Sequence, residues 1–157
     1  MDRAQDDFYV DLDATLRALG FTRRGMNWVR RSGDLYSVVN LQKSEWGAGR
    51  YVNIGFARAS TTEGGWLPES KCEIRFRAGA LLGSSGGGNS NVEIGHIATG
   101  PDSRPAPISQ LPVTRALTDL MTAVTEVRDL PAALRDLVSD RVFVRRGMRE
   151  VLDSLGS

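Results

Sequence analysis

Apolar residues recur three or four apart at the start of the chain and two apart soon afterwards, and that change of period separates helix from sheet. From Asp6 to Leu19 the apolar positions Phe8, Leu12, Leu16 and Leu19 form one helical stripe, with Asp6 or Asp7 available as the N-cap and Gly20 as the stop. The acids come early, where the helix dipole favours them, so Asp7 and Asp11 read as a solvated face and not as a catalytic pair. After "GFTRRG" the two-residue period takes over. "MNWVRR" (26–31) and "LYSVVNLQKS" (35–44) flank "SGD", whose glycine suits a short hairpin loop. "EWGAGR" leads into "YVNIGFARA" (51–59), "STTEGGWLPES" reads as a loop, and "KCEIRFRAGALL" as a fourth strand. Connections this short make neighbouring strands antiparallel.

Alternation assigns the faces. Val39 and Leu41 fall on one side of the second strand, with Val38, Asn40, Gln42 and Ser44 on the other. The third strand separates Val52, Ile54 and Phe56 from Tyr51, Asn53 and Gly55, and the fourth separates Cys72, Ile74 and Phe76 from Glu73, Arg75 and Arg77. Three apolar rows thus back three largely polar rows. An antiparallel sheet tolerates one solvated face, so the polar rows need no ligand to explain them. They nevertheless place Asn40, Gln42, Ser44, Asn53, Arg75 and Arg77 together as a candidate binding surface, because two guanidiniums among amides suit an anion or a partner's carboxylates. The competing expectation is that acids of a C-terminal helix cover the two arginines.

Beyond the strands, "LLGSSGGGNSN" reads as a flexible loop over about 83–91, and "VEIGHIA" as a short fifth strand. Val113, Leu117, Leu120, Met121, Val124 and Val127 form a strong helical stripe. Pro131 suits the first turn of another helix, with Asp129 nearby as a cap and Leu134, Leu137 and Val138 as its stripe. "GMREVLDSLGS" reads as a last short helix bearing Val151, Leu152 and Leu155. No internal repeat or domain boundary interrupts the 157 residues, which fit one domain.

Composition narrows the chemistry. Of 20 basic residues only Lys43 and Lys71 are lysine, and the net charge of +1 hides a basic stretch over residues 20–60. His96 is the single histidine and Cys72 the single cysteine, which excludes a multi-histidine metal site and any intrachain disulfide. Alternation in phase with Ile74 predicts a buried, inert Cys72 thiol. "GSSGGGNS" lacks the lysine and hydroxyl pair of a phosphate loop, and no nucleophile elbow or C-x-x-C pair occurs. The chain starts without a secretory leader and contains no apolar run of membrane length, so a cytoplasmic protein with no membrane partner is expected. No cofactor and no metal are expected.

"LRALGFTRRGMNWVRRSGDLYSVVNLQKSEWGAGRYVNIGF" followed by "KCEIRFRAG" resembles the bacterial domain of unknown function numbered 4304, over about residues 8–80. The resemblance implies a helix packed on an antiparallel sheet. It places Gln42, Ser44, Asn53 and Arg75 in the family's pattern without assigning them a role.

The sequence therefore predicts an α+β fold: an N-terminal helix, a curved antiparallel sheet of four or five strands, and two or three C-terminal helices. For function it favours a non-catalytic binding module recognising a protein partner, in an immunity-like or accessory role. One alternative is a nucleic-acid-associated protein using the basic segment from Arg23 to Arg58, with Trp28, Tyr36 and Tyr51 stacking bases. The other is a small enzyme using Arg75, Arg77 and Glu73 on an anionic substrate.

Overall fold

An antiparallel sheet in simple sequential order forms the centre of the computed structural model, which describes residues 3–43, 50–61, 67–85, 112–135, 137 and 141–156. Its strands are β1 (Thr22–Arg24), β2 (Asn27–Ser32), β3 (Leu35–Lys43), β4 (Arg50–Arg58), β5 (Ile74–Arg77) and β6 (Phe143–Val144), each paired with the next. Helix α1 (Arg3–Ala18) precedes them. Among the described residues the C-terminal part adds α2 (Pro112–Ala123), α3 (Leu130–Leu134) and α4 (Arg146–Leu155). This is the expected α+β arrangement with six strands in place of four or five.

The apolar stripe and the apolar rows meet as one core. Trp28, Val39, Leu41, Val52, Ile54, Phe56, Ile74 and Phe76 bury one sheet face against Leu12 and Leu16 of α1, Leu117 and Met121 of α2, and Leu130 and Met148. Each such side chain contributes roughly 1.5–3 kcal/mol on leaving water. Helix α1 ends as its glycine predicts. With Gly20 at φ 92°, the Gly20 amide donates to Arg17 O at 3.0 Å and the Phe21 amide to Leu16 O at 3.0 Å, a closure that needs a left-handed residue. Phe21 and Leu16 are both buried in the core beside it.

Several boundaries differ from expectation. Helix α1 starts at Arg3, ahead of Asp6 and Asp7, and α2 stops at Ala123, so Val124 and Val127 pack into the core from beyond its end. Asp129 caps nothing with its side chain at α3; it accepts instead from the amides of Thr125 and Glu126, holding the 3₁₀ turn at Val127–Asp129. Those bonds hold its carboxyl below the usual range. The fourth strand shrinks to Ile74–Arg77 between 3₁₀ turns at Glu69–Lys71 and Ala78–Ser85, and the second of these takes up the first residues of the expected flexible loop. The rest of that loop, the fifth-strand candidate "VEIGHIA" with His96, Ser44 and Val138 lie outside the described residues.

One arginine ties both long helices to the sheet. Arg30, on the core side of β2, donates through Nη1 to Leu19 O at 3.2 Å and through Nη2 to Met121 O at 2.8 Å and Val124 O at 2.9 Å. These carbonyls belong to the ends of α1 and α2, where no further turn supplies a donor and the dipole is negative. The guanidinium also lies 4.9 Å from the Phe21 ring centroid. Its Nε, and the Ser37 Oγ opposite it in β3, are buried without a hydrogen-bond partner among the described residues, so the two terminal nitrogens carry the clamp.

Arg30→Met keeps the stem but strips the three carbonyls of their donor. Urea unfolding should show a loss of about 2–4 kcal/mol with the fold retained. A variant within about 0.5 kcal/mol of wild type would contradict the clamp.

Candidate functional site

The second sheet face carries a row of amides that no single strand reveals. Pairing sets Asn27 opposite Asn40, Asn40 opposite Asn53, and Asn53 opposite Arg77, across β2, β3, β4 and β5. Asn40 Nδ2 donates to Asn27 Oδ1 at 3.1 Å, and Asn53 Nδ2 donates to Asn40 Oδ1 at 3.1 Å and Gln42 Oε1 at 2.9 Å. Asn53 is buried in this ladder, whereas Gln42 is exposed at its edge. Such mutual bonding fixes the amide orientations before any ligand arrives.

Only part of this face is polar. Val29, Tyr36, Val38, Ala57 and Cys72 make a second apolar cluster, with Ala59 and Leu67 packed on it. Cys72 therefore lies on the face opposite to the one that alternation assigns it. The 3₁₀ turn at Glu69–Lys71 breaks the period just before it, and Cys72 seats itself over Gly55. A Cβ at Gly55 would stand 2.7 Å from Cys72 Sγ, so this close approach requires glycine. Burial first, with Glu69 adding to it, pushes the Cys72 thiol up to about 12, and the expected inertness follows.

Where the apolar cluster ends, a cleft of about 710 Å³ opens, with Gln42, Asn53, Glu69, Arg75, Arg77 and Arg141 in its walls and Phe143 beside them. Arg75 Nε donates to Glu69 Oε1 at 3.1 Å. The Arg77 guanidinium lies 4.1 Å from the Tyr51 ring centroid. Arg141 Nη1 is buried without a hydrogen-bond partner among the described residues. Phe143 stays largely exposed although β6 pairs it with Arg75. Three guanidiniums thus share the walls with one carboxylate.

Of the sequence-predicted residues, Gln42, Asn53, Arg75 and Arg77 converge on the cleft, Asn40 supports it from within the ladder, and Ser44 is outside the described set. The acid that pairs Arg75 comes from the turn before β5, not from a C-terminal helix. Glu73 joins neither arginine of the cleft. It is buried, accepting from Arg58 Nη2 at 2.6 Å and from the Arg58 amide at 2.9 Å. Burial alone would push its carboxyl up, but the Arg58 bonds win and hold it below the ordinary value. Sequence spacing does not point to Glu69, Arg141, Phe143 or Asn27. Glu69 sits in a segment that reads as loop, and Arg141 and Phe143 are far along the chain from the strands they join.

The family model described as a domain of unknown function, DUF4304, matches residues 12–109. The chain belongs to this family. The matched part of the DUF4304 domain spans β1 to β5 and brings every wall residue just named except Arg141 and Phe143. No curated protein and no solved structure matches the chain. Among the described residues of the DUF4304 domain, no group of three or more His, Cys, Asp or Glu side chains is placed to hold a metal, and no helix is long and apolar enough to cross a membrane.

With its thiol buried and its ionisation pushed up, Cys72 should resist iodoacetamide in the folded domain near pH 8 and react at once in concentrated urea. Rapid labelling of the folded protein would overturn its placement over Gly55.

Proposed function

We propose that this domain is a non-catalytic binding module that holds a protein partner at the polar end of its second sheet face. The observation that supports the reading is the excess of guanidinium groups over carboxylates around a cleft whose amides are already fixed by one another. Guanidinium forks grip carboxylates with two parallel bonds, and a pre-ordered wall reduces the entropy lost on association.

The basic segment offers less to nucleic acid than its composition suggests. Trp28 is fully buried and donates to Asp13 Oδ1 at 2.8 Å, and Tyr36 belongs to the second apolar cluster. Arg30 is engaged with helix ends and Arg58 with Glu73. Glu73 is likewise engaged and does not face the cleft arginines as the acid of an enzyme would need to.

Capture from native lysate tests the reading. Arg77→Ala with Arg141→Ala is preferable to a change at Arg75, because removing Arg75 strands the buried Glu69 carboxylate. The double variant should lose the partners that wild type retains, at unchanged melting temperature. Identical partner sets would contradict the reading.

A further inference from the structure

Arg141 leads to the chemistry of the partner. Its Nη1 is buried in a cleft wall without a hydrogen-bond partner among the described residues. With that nitrogen closed to solvent, Arg141 acts on the cleft through its charge, which an acceptor bearing negative charge compensates. The neighbouring cations are committed to different degrees. Arg75 spends its Nε on Glu69, whereas Arg77 meets Tyr51 with its flat face, a contact that leaves in-plane N–H groups for an acceptor.

Glu69, its side chain only 10% exposed, is one carboxylate against three guanidiniums in the same walls, so the cleft attracts an incoming anion on balance. What separates a side-chain carboxylate from inorganic phosphate is its apolar flank. Phe143, 53% exposed at the cleft, adds apolar surface for whatever flanks the charge.

Resting on the binding-module reading above, we propose that the cleft receives the carboxylate of an acidic side chain of the partner protein, with the in-plane edge of Arg77 as its donor and the Arg141 guanidinium as a second positive charge in the wall. The Gln42 and Asn53 amides border the seat, and the ladder holds them in place.

The test is calorimetric titration of the full chain with an N-acetylated, C-amidated hexaglutamate peptide, the matching hexaglutamine peptide, and inorganic phosphate at equal ionic strength. Hexaglutamate should bind and weaken as salt is raised, hexaglutamine should not bind, and equimolar phosphate should not displace the bound peptide. Arg141→Gln should weaken hexaglutamate binding by about tenfold or more. Absence of hexaglutamate binding, equal displacement by phosphate, or unchanged affinity in Arg141→Gln would each overturn the proposal. If Arg141→Gln does not fold, the phosphate competition on wild type still decides. Lysate partners that depend on Arg77 and Arg141 alongside failed hexaglutamate binding would remove the carboxylate assignment alone, whereas partners indifferent to both arginines would remove the module reading itself.

Discussion

Val39 lies opposite Ile54 and Leu41 opposite Val52, and the same register of β3 on β4 sets Asn40 against Asn53 and Gln42 against Tyr51. Core and cleft are therefore two outcomes of one alignment. A slip by one residue would turn the aliphatic side chains to the outer face and push the asparagines toward Leu12 and Met121. Each displaced aliphatic forfeits roughly 1.5–3 kcal/mol and each amide buried without a partner costs about 1–3 kcal/mol. A handful of such losses equals the whole stability of an ordinary domain, about 5–15 kcal/mol, so the alignment admits no near competitor. The polar row is held in place by the oily row behind it.

Arginine does distinct jobs across this sheet. On the core side Arg30 supplies donors to the carbonyl ends of two helices, and Arg58 satisfies the buried Glu73. On the other side Arg75 answers Glu69, and Arg77 rests on Tyr51. Arg141 differs from all four, since its Nη1 reaches the cleft wall buried and unanswered among the described residues. Lysine could not replace these residues without loss, because the carbonyl clamp and the stacked contact both use a planar fork. The preference for arginine over lysine thus has structural work behind it at Arg30, Arg58, Arg75 and Arg77.

Legibility followed the length of each periodic run. The nine-residue strands β3 and β4 show their faces plainly, and the buried set of Val39, Leu41, Val52, Ile54, Phe56, Ile74 and Phe76 follows from counting by two. Strands β1 and β6, of three and two residues, are too short to display any period. Cys72 departs from the alternation because it precedes the start of β5, across the bend at Glu73, and closes the 3₁₀ turn at Glu69–Lys71. Four of the cleft residues were legible as a polar row. Arg141 was not, because its place depends on a C-terminal strand returning to the edge of β5, a long-range pairing that local spacing does not encode.

Asn53 is where the two faces can be checked against each other, since its side chain is buried on the outer surface and its Nδ2 donates to both Asn40 and Gln42. Solvent exchange of side-chain amide protons, followed by nuclear magnetic resonance in the ligand-free protein, measures this directly. The Asn53 amide should exchange far more slowly than an exposed glutamine amide, and Gln42→Ala should speed that exchange while the bond to Asn40 keeps part of the protection. Exchange as fast as in a free asparagine would show that the ladder does not form and that the cleft is not ordered in advance.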